Sequence, residues 1–350
     1  MSINETKMNE LLGRFVGDLG ATITAPLIVL GDELGLYRAL APAPLSAAQL
    51  ASKTGTNERY VAEWLAANAA AGYVEYDANT GRYSMTPEQA FAFADPNGPN
   101  LPGAFLMSVA VFNDLPTITE AFRSGKGIAW GDHHHALFHA TEKFFRPNYA
   151  ANLLPSWLPA LDGVVAKLEK GALVADVGCG HGASTILMAQ AYPKSKFVGI
   201  DYHAPSLEIA KQKAKAAGVA DRVSFEQASA KTYAGRNYDL VAFFDCLHDM
   251  GDPVGAARHV RETLAPDGTW LIVEPFAHDR VEQNLNPVGR VFYAASTQIC
   301  TPCSRSQEVG LALGAQAGEA RLREVVLGGG FKRFRRATET PFNLILEARP

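Results

Sequence analysis

In the second half of the chain, short apolar runs alternate with longer amphipathic stretches. The apolar runs have the length and composition of buried strands, and they lie at residues 173–177, 197–201, 223–227, 238–244 and 269–274. The stretches 206–217 and 255–264 carry apolar residues at helical spacing. This alternation predicts an α/β fold in which helices cover a mainly parallel sheet.

The pattern changes after residue 275. An insertion of helices and loops is predicted for 275–316, followed by a helix at 321–327. Two further strands are predicted at 331–337 and 342–348, separated by the turn sequence T-E-T-P. The chain therefore ends in a hairpin, which a purely parallel dinucleotide-binding sheet does not need.

The first 98 residues predict a winged helix-turn-helix. Residues 10–41 read as helix, Ser46 and Asn57 have the sequence context of helix N-caps, and Gly72 ends the second of the two short helices. A small hairpin follows, with strands at 73–76 and 82–85. This arrangement is typical of DNA-binding domains and also of helical dimerisation modules.

The charge of the predicted winged helix favours packing over DNA binding. Between residues 45 and 86, three basic residues stand against four acidic ones, a net charge of −1: Lys53, Arg59 and Arg82 against Glu58, Glu63, Glu75 and Asp77. Non-specific affinity for DNA comes mostly from cationic contacts to phosphate. Nucleic acid is therefore an unlikely partner, although a DNA-binding regulator stays open as an alternative.

The middle of the chain links the two patterns. After the turn-rich stretch 95–100, residues 101–170 look helical and are rich in aromatic side chains, some of which we expect to line a substrate pocket. The predicted organisation is a winged-helix dimerisation domain at 1–98, a helical linker at 99–160 and a larger α/β domain at 161–350.

A glycine-rich loop follows the first strand of the α/β domain. The sequence D-V-G-C-G-H-G runs from Asp176 to Gly182, and a helix pattern begins directly after it. Strand, glycine turn and helix N-terminus bring backbone N–H groups to a place that a ligand can approach. The next strand ends at Asp201, an acid suited to bind ribose hydroxyls. The looser dinucleotide pattern G-x-G-x-x-A is also satisfied, so a nicotinamide oxidoreductase is a second alternative.

Two motifs resemble one enzyme family. Asp176 to Gly182 matches the D-x-G-x-G-x-G loop of class I S-adenosylmethionine (SAM) methyltransferases, and Leu247-His248-Asp249 resembles the L-H-D-W segment of plant and bacterial small-molecule O-methyltransferases. The resemblance covers nearly the whole chain. It implies a seven-stranded Rossmann-like sheet with an antiparallel last strand behind an N-terminal winged-helix domain, with SAM as the cofactor.

The resemblance also implies catalytic roles. His248 corresponds to the general base of that family, Glu274 in L-I-V-E-P-F to a position that often holds a catalytic glutamate, and Asp249 stands beside the base. Met250 replaces the family's tryptophan and Gly251 follows it, so we expect different packing around the base. Independently of the family, an imidazole titrates near neutral pH and can take the proton of a hydroxyl or thiol acceptor.

The cofactor contacts are implied residue by residue. Gly178, Cys179 and Gly180 would face the methionine moiety, with Asp176 near its amino group. The remaining contacts are Asp201 for the ribose, Tyr202 for the adenine, Ser229 in place of the family's usual acid, and Asp245 near the methionine end.

Two further groups of side chains are of types that can bind metal or take part in redox chemistry. His133, His134, His135 and His139 lack a familiar set of partner ligands, and we interpret them mainly as a polar turn or pocket lining. Cys300 and Cys303 form a single C-x-x-C in the insertion, which we interpret as reduced thiols. No metal is predicted.

Composition sets the remaining expectations. The 350 residues are 47% hydrophobic and 19% charged with a net charge of −4, as in ordinary soluble globular proteins. We find no apolar run of membrane-spanning length, and the cysteine positions suit a reducing cytoplasm. The expected partners are a small, aromatic or hydrophobic methyl acceptor, with oxygen as the favoured atom, and a second copy of the chain.

Overall fold

A computed structural model describes residues 3–350, and these form two compact units. The N-terminal unit contains the residues up to Phe112 and the stretch His135–Pro147. The C-terminal unit contains Asn113–His134 and Asn148–Pro350. The segment 99–160, predicted as one linker, is thus divided between both units.

The helices and strands up to residue 152 are α1 (Glu5–Glu33), α2 (Leu36–Leu40), α3 (Ala47–Thr54), α4 (Glu58–Ala70), β1 (Glu75–Asp77), β2 (Arg82–Ser84), α5 (Pro87–Phe93), α6 (Leu101–Asn113), α7 (Leu115–Ser124) and α8 (Ala136–Asn152). The predicted winged helix is present. Ser46 forms a capping box with Gln49 at the start of α3, and Asn57 accepts backbone N–H groups at the start of α4. Strands β1 and β2 pair antiparallel as the wing.

Helix α1 exposes a row of apolar side chains. Leu11, Phe15, Leu19 and Ile23 repeat at four-residue spacing, and each is at least 44% exposed. By length and composition α1 is long and apolar enough to cross a membrane, and most of its apolar stretch is exposed. Helices α6 and α7 reach that length and apolarity only as a bent pair. The prediction that no apolar run reaches membrane-spanning length is therefore wrong.

The C-terminal unit is built on a seven-stranded sheet. Its elements are α9 (Val164–Lys170), β3 (Leu173–Val177), α10 (Ala183–Ala191), β4 (Lys196–Asp201), α11 (Ala204–Ala216), β5 (Val223–Gln227), β6 (Tyr238–Phe244), α12 (Pro253–Thr263), β7 (Leu264–Pro275), α13 (Pro287–Ala295), α14 (Thr301–Arg305), α15 (Gly318–Gly328), β8 (Arg333–Glu339) and β9 (Asn343–Arg349). The strand order is β5-β4-β3-β6-β7-β9-β8.

Strand direction follows the predicted pattern. Strands β3 to β7 pair parallel, while β9 pairs antiparallel with both β7 and β8. The terminal hairpin and the antiparallel last strand are thereby confirmed. The inner strands β3 and β6 are mainly apolar and almost fully buried, as expected where helices cover both faces of a sheet.

Candidate active site

The carboxyl ends of the parallel strands meet at one edge of the sheet. Strand β3 ends in the glycine loop, β4 ends at Asp201, β6 is followed by Asp245, and β7 contains Glu274 near its end. Open α/β sheets bind ligands at this edge. The fold therefore brings the predicted cofactor and catalytic residues to one place.

The glycine loop turns sharply at three positions. Gly178, Gly180 and Gly182 have φ values of 77°, 51° and 76°, which favour glycine. The backbone N–H groups of Gly178 and Cys179 donate to Ile200 O at 2.7 and 3.1 Å. These two N–H groups bind the neighbouring strand and are not available to a ligand.

Asp176 is a buried acid below the loop. Its Oδ2 accepts hydrogen bonds from the hydroxyls of Ser184 (2.6 Å) and Thr185 (2.5 Å) on α10. Its Oδ1 is buried and has no hydrogen-bond partner within residues 3–350. Burial raises the pKa of Asp176 to about 6. The orphaned oxygen fits a donor from a ligand, such as an ammonium group.

Asp201 accepts hydrogen bonds from the backbone of the glycine loop and of the turn that follows β4. Its Oδ2 accepts the Gly180 N–H and its Oδ1 accepts the His203 N–H, both at 2.9 Å. Burial raises its pKa, which these two hydrogen bonds partly offset. Each carboxylate oxygen retains a lone pair for a further donor, so the carboxylate fits a ribose.

The two residues predicted at the adenine lie in different settings. Tyr202 is half-exposed, and its hydroxyl lies 3.9 Å from Cys303 Sγ. Ser229 Oγ is paired with Thr232 Oγ1 at 2.9 Å and accepts the Lys231 N–H. Tyr202 thus offers an exposed ring face, whereas Ser229 is already engaged locally.

His248 and Glu274 form a buried pair. His248 lies on the short turn Leu247–Asp249, and its Nδ1 is 2.5 Å from Glu274 Oε2. Glu274 Oε1 accepts the Leu247 N–H at 2.9 Å, while His248 Nε2 lies 3.1 Å from Asp249 Oδ1. Burial would lower the pKa of His248, but the Asp249 and Glu274 carboxylates together raise it well above its usual value.

Asp245 lies in a network that the sequence did not predict. Tyr149 Oη donates to its Oδ2 and Asn343 Nδ2 to its Oδ1, both at 2.9 Å. Asp245 has a φ of 50°, which is strained for a non-glycine residue. Burial and the Glu274 carboxylate raise its pKa to about 8. The sequence signal for this network is the polar Asn343 at the start of β9, directly before the apolar residues 344–346.

The insertion packs against the turn that carries His248 and the two residues after it. Ser304 Oγ donates to Met250 O at 2.8 Å, and a Cβ on Gly251 would lie 2.6 Å from Glu308 O. Gly251 therefore permits a close approach that a larger residue would block. His248, Asp249 and the buried Cys300 place ligand-type atoms within 4.8 Å of one another.

The histidine-rich stretch holds a second buried pair. His133 Nδ1 lies 2.8 Å from Asp114 Oδ2, and the His134 N–H donates to Asp114 Oδ1 at 2.9 Å. His133 Nε2 is buried and has no hydrogen-bond partner in the described part of the chain. The interpretation of this stretch as a polar turn is thus incomplete.

Comparisons with known proteins agree with this architecture. Residues 168–310 match the family model described as a methyltransferase domain, and residues 22–94 match the Rv2258c-like winged HTH domain. A relative from Amycolatopsis mediterranei, 27-O-demethylrifamycin SV methyltransferase, is 35% identical over 29% of this chain and 38% of its own length. The ubiquinone biosynthesis O-methyltransferase of Bordetella avium is 31% identical over 37% of this chain and 52% of its own length.

Solved structures resemble the whole chain. A crystal structure of a putative O-methyltransferase from Nostoc punctiforme has a TM-score of 0.73 at 21% identity and covers 96% of this chain and 98% of its own. Human N-acetylserotonin methyltransferase in complex with SAM has a TM-score of 0.72 at 18% identity, covering 100% and 99%. At these identities the likeness shows the fold.

The curated relatives extend beyond the matched region. The alignments cover 23% to 49% of the length of the first four of them, so only the shared domain is compared. The predicted methyltransferase class is nevertheless confirmed over that domain. Residues 168–310 form a methyltransferase domain, and residues 22–94 form an N-terminal winged helix-turn-helix domain.

Proposed function

We propose that this protein transfers a methyl group from SAM to a hydroxyl of a small, aromatic or hydrophobic acceptor, with His248 as the general base. One observation carries the proposal. The 2.5 Å contact between His248 Nδ1 and Glu274 Oε2 holds an imidazole at the ligand-binding edge of a methyltransferase sheet.

The residues at the sheet edge fit the cofactor. The orphaned Oδ1 of Asp176 suits the methionine ammonium, and Gly178 to Gly180 would lie beside it. Asp245, whose two oxygens already accept from Tyr149 and Asn343, would lie near the same end of the cofactor. Asp201 would bind the ribose hydroxyls. When bound, SAM supplies an electrophilic methyl group on a sulfonium.

The chain supplies a base and a fixed geometry. In-line displacement needs the acceptor oxygen close to the methyl carbon, and a hydroxyl reacts faster once its proton has an acceptor. Glu274 holds Nδ1 of His248, so Nε2, which lies 3.1 Å from Asp249 Oδ1, is the nitrogen that would take the proton. The raised pKa of His248 lowers the fraction of deprotonated imidazole at neutral pH, and only this form accepts a proton.

The relatives support the acceptor class. Two of the matched relatives are named as O-methyltransferases or as a methyltransferase of a demethylated rifamycin, and one similar solved structure is mitomycin 7-O-methyltransferase, with a TM-score of 0.68 at 21% identity. These names describe those proteins. Together with the His248–Glu274 pair they favour a small acceptor and oxygen as the methylated atom.

We further propose a cytoplasmic homodimer joined through α1. The exposed row Leu11, Phe15, Leu19 and Ile23 has the spacing of a helix–helix contact surface. Charged residues interrupt the same helix at Glu10, Arg14 and Asp18, as expected for a surface helix that packs on one face. A second copy would cover the apolar row, and the four cysteines suit a reducing compartment.

Two measurements test the proposed function. Calorimetry of the full chain should show binding of S-adenosylhomocysteine and none of NAD. A panel of phenols, incubated with SAM that carries a labelled methyl group, should then yield at least one labelled ether. Binding of NAD without S-adenosylhomocysteine would overturn the proposal.

A further inference from the structure

The segment Asn113–His134 belongs to the C-terminal unit, although the residues before and after it belong to the N-terminal unit. Asp114 and His133 lie at its two ends, and their side chains are joined at 2.8 Å. This contact holds the two ends of the segment together, and we call the segment Asn113–His134 the excursion. The contact, called the clamp below, uses the Asp114 carboxylate and His133 Nδ1.

The clamp leaves the second ring nitrogen unexplained. The His133 side chain is 1% exposed, and its Nε2 has no hydrogen-bond partner among residues 3–350. A carboxylate on Nδ1 favours the tautomer with the proton at Nδ1, so Nε2 carries a lone pair. A buried acceptor without a donor costs free energy, which a ligand donor would recover.

The excursion runs alongside the cofactor edge of the sheet. A Cβ on Gly131 would lie 3.5 Å from the ring of His203, and the backbone N–H of His203 donates to Asp201, the proposed ribose ligand. Three residues earlier, the Ile128 N–H donates to Pro302 O at 2.9 Å. The stretch that ends at His133 therefore runs between the Asp201 loop and helix α14.

The adenosine half of SAM brings donors to this region. It carries two ribose hydroxyls and the adenine amine, while the loop after β5 reads Gln227-Ala228-Ser229-Ala230 without a carboxylate. Ser229 is already paired with Thr232. The adenosine moiety thus carries more hydrogen-bond donors than the Asp201 carboxylate alone can accept.

We propose that His133 is a cofactor-binding residue whose Nε2 accepts a hydrogen bond from the adenosine moiety of SAM, either a ribose hydroxyl or the adenine amine. Asp114 is its positioning residue, since it holds the ring and its tautomer. This inference rests on the proposed function. Binding of S-adenosylhomocysteine to the wild-type protein tests that function separately.

Calorimetry with S-adenosylhomocysteine tests the inference. In the full chain, His133→Phe should weaken affinity about tenfold, while His133→Gln, whose amide oxygen can accept, should recover part of the loss. The exposed neighbour gives the control His135→Phe, which should stay within about twofold of the wild-type affinity. S-inosylhomocysteine, which lacks the amine, identifies the donor. If the adenine amine is the donor, His133→Phe should bind S-inosylhomocysteine as tightly as the wild type does. If a ribose hydroxyl is the donor, the loss of affinity should persist with this ligand.

Three outcomes would overturn the inference. The first is unchanged affinity in a His133→Phe variant that unfolds at the wild-type temperature, and the second is an equal loss in His135→Phe. If the variant fails to fold, the Nε2 resonance of ¹⁵N-labelled His133 in the wild-type protein is followed instead. It should move on addition of S-adenosylhomocysteine, and a stationary resonance is the third contrary outcome.

Discussion

Glu274 Oε2 lies 2.5 Å from His248 Nδ1, and the other oxygen of Glu274 accepts the Leu247 N–H. One carboxylate thus fixes both the backbone and the ring of the proposed base. Because Glu274 holds Nδ1, the proposed reacting nitrogen is Nε2, which lies 3.1 Å from Asp249 Oδ1. The negative charge also favours the protonated imidazole.

Replacing Glu274 should therefore move the pH profile of the enzyme. The Asp249 and Glu274 carboxylates outweigh burial and raise the pKa of His248, so Glu274→Gln should lower that pKa. The rising limb of kcat/KM against pH should shift to lower pH. The exposed Glu282→Gln variant, which loses only a surface contact to Arg280, should keep the wild-type profile. If the rising limb of kcat/KM stays at the wild-type pH in Glu274→Gln, the assignment of His248 as the base is contradicted.

Asp245 should make the protein less stable as the pH rises. With a folded pKa of about 8, it keeps its proton in the folded protein between about pH 4 and pH 8, while the unfolded chain loses it. The free energy of unfolding should fall across this window.

Asp245→Asn should remove this pH dependence, and asparagine tolerates the positive φ. The Tm at pH 8 should be higher than that of the wild type by at least about 2–4 °C, the shift that 1 kcal/mol of stability produces in a domain of this size. A variant with the same slope against pH as the wild type would refute the raised pKa.

Asp201 should contribute strongly to cofactor affinity. Asp201→Asn keeps the shape but loses the charge that accepts ribose hydroxyls, so binding of S-adenosylhomocysteine should weaken by roughly 1.5–3 kcal/mol. The exposed Asp221, whose acid pairs with its neighbour Arg222, gives the matched control Asp221→Asn. Calorimetry decides, and equal affinities in both variants would sink the ribose assignment.

The apolar face of α1 should join two copies of the chain. Phe15→Glu and Leu19→Glu place charges in the exposed row and should convert a dimer into a monomer, as measured by light scattering during size-exclusion chromatography. Gln298→Glu, on the C-terminal unit, should stay dimeric. A monomeric wild-type protein that sediments with lipid vesicles would instead favour a membrane role for α1.

Local patterns were sufficient to predict much of this structure. Strands β5 and β6 have the predicted bounds, and Ser46 and Asn57 cap the predicted helices. Hydrophobic periodicity and cap chemistry are properties of neighbouring residues, so they are visible in a single sequence. The fold class followed from them together with the terminal hairpin.

Contacts between distant residues were not predictable in the same way. Tyr149 and Asn343 reach Asp245 across 96 and 98 residues, and Asp114 reaches His133 across 19. No local pattern reports such pairs, because they depend on how the elements pack. The engaged N–H groups of the glycine loop were missed for the same reason, since their acceptor Ile200 lies on the neighbouring strand.

The central claim is that His248 activates the acceptor for methyl transfer from SAM. Its most direct test is the transfer of labelled methyl by the wild type and by His248→Ala, with S-adenosylhomocysteine affinity measured for both. Turnover should fall by about 10²–10⁴-fold while the affinity is retained. Retained turnover in His248→Ala would contradict the account.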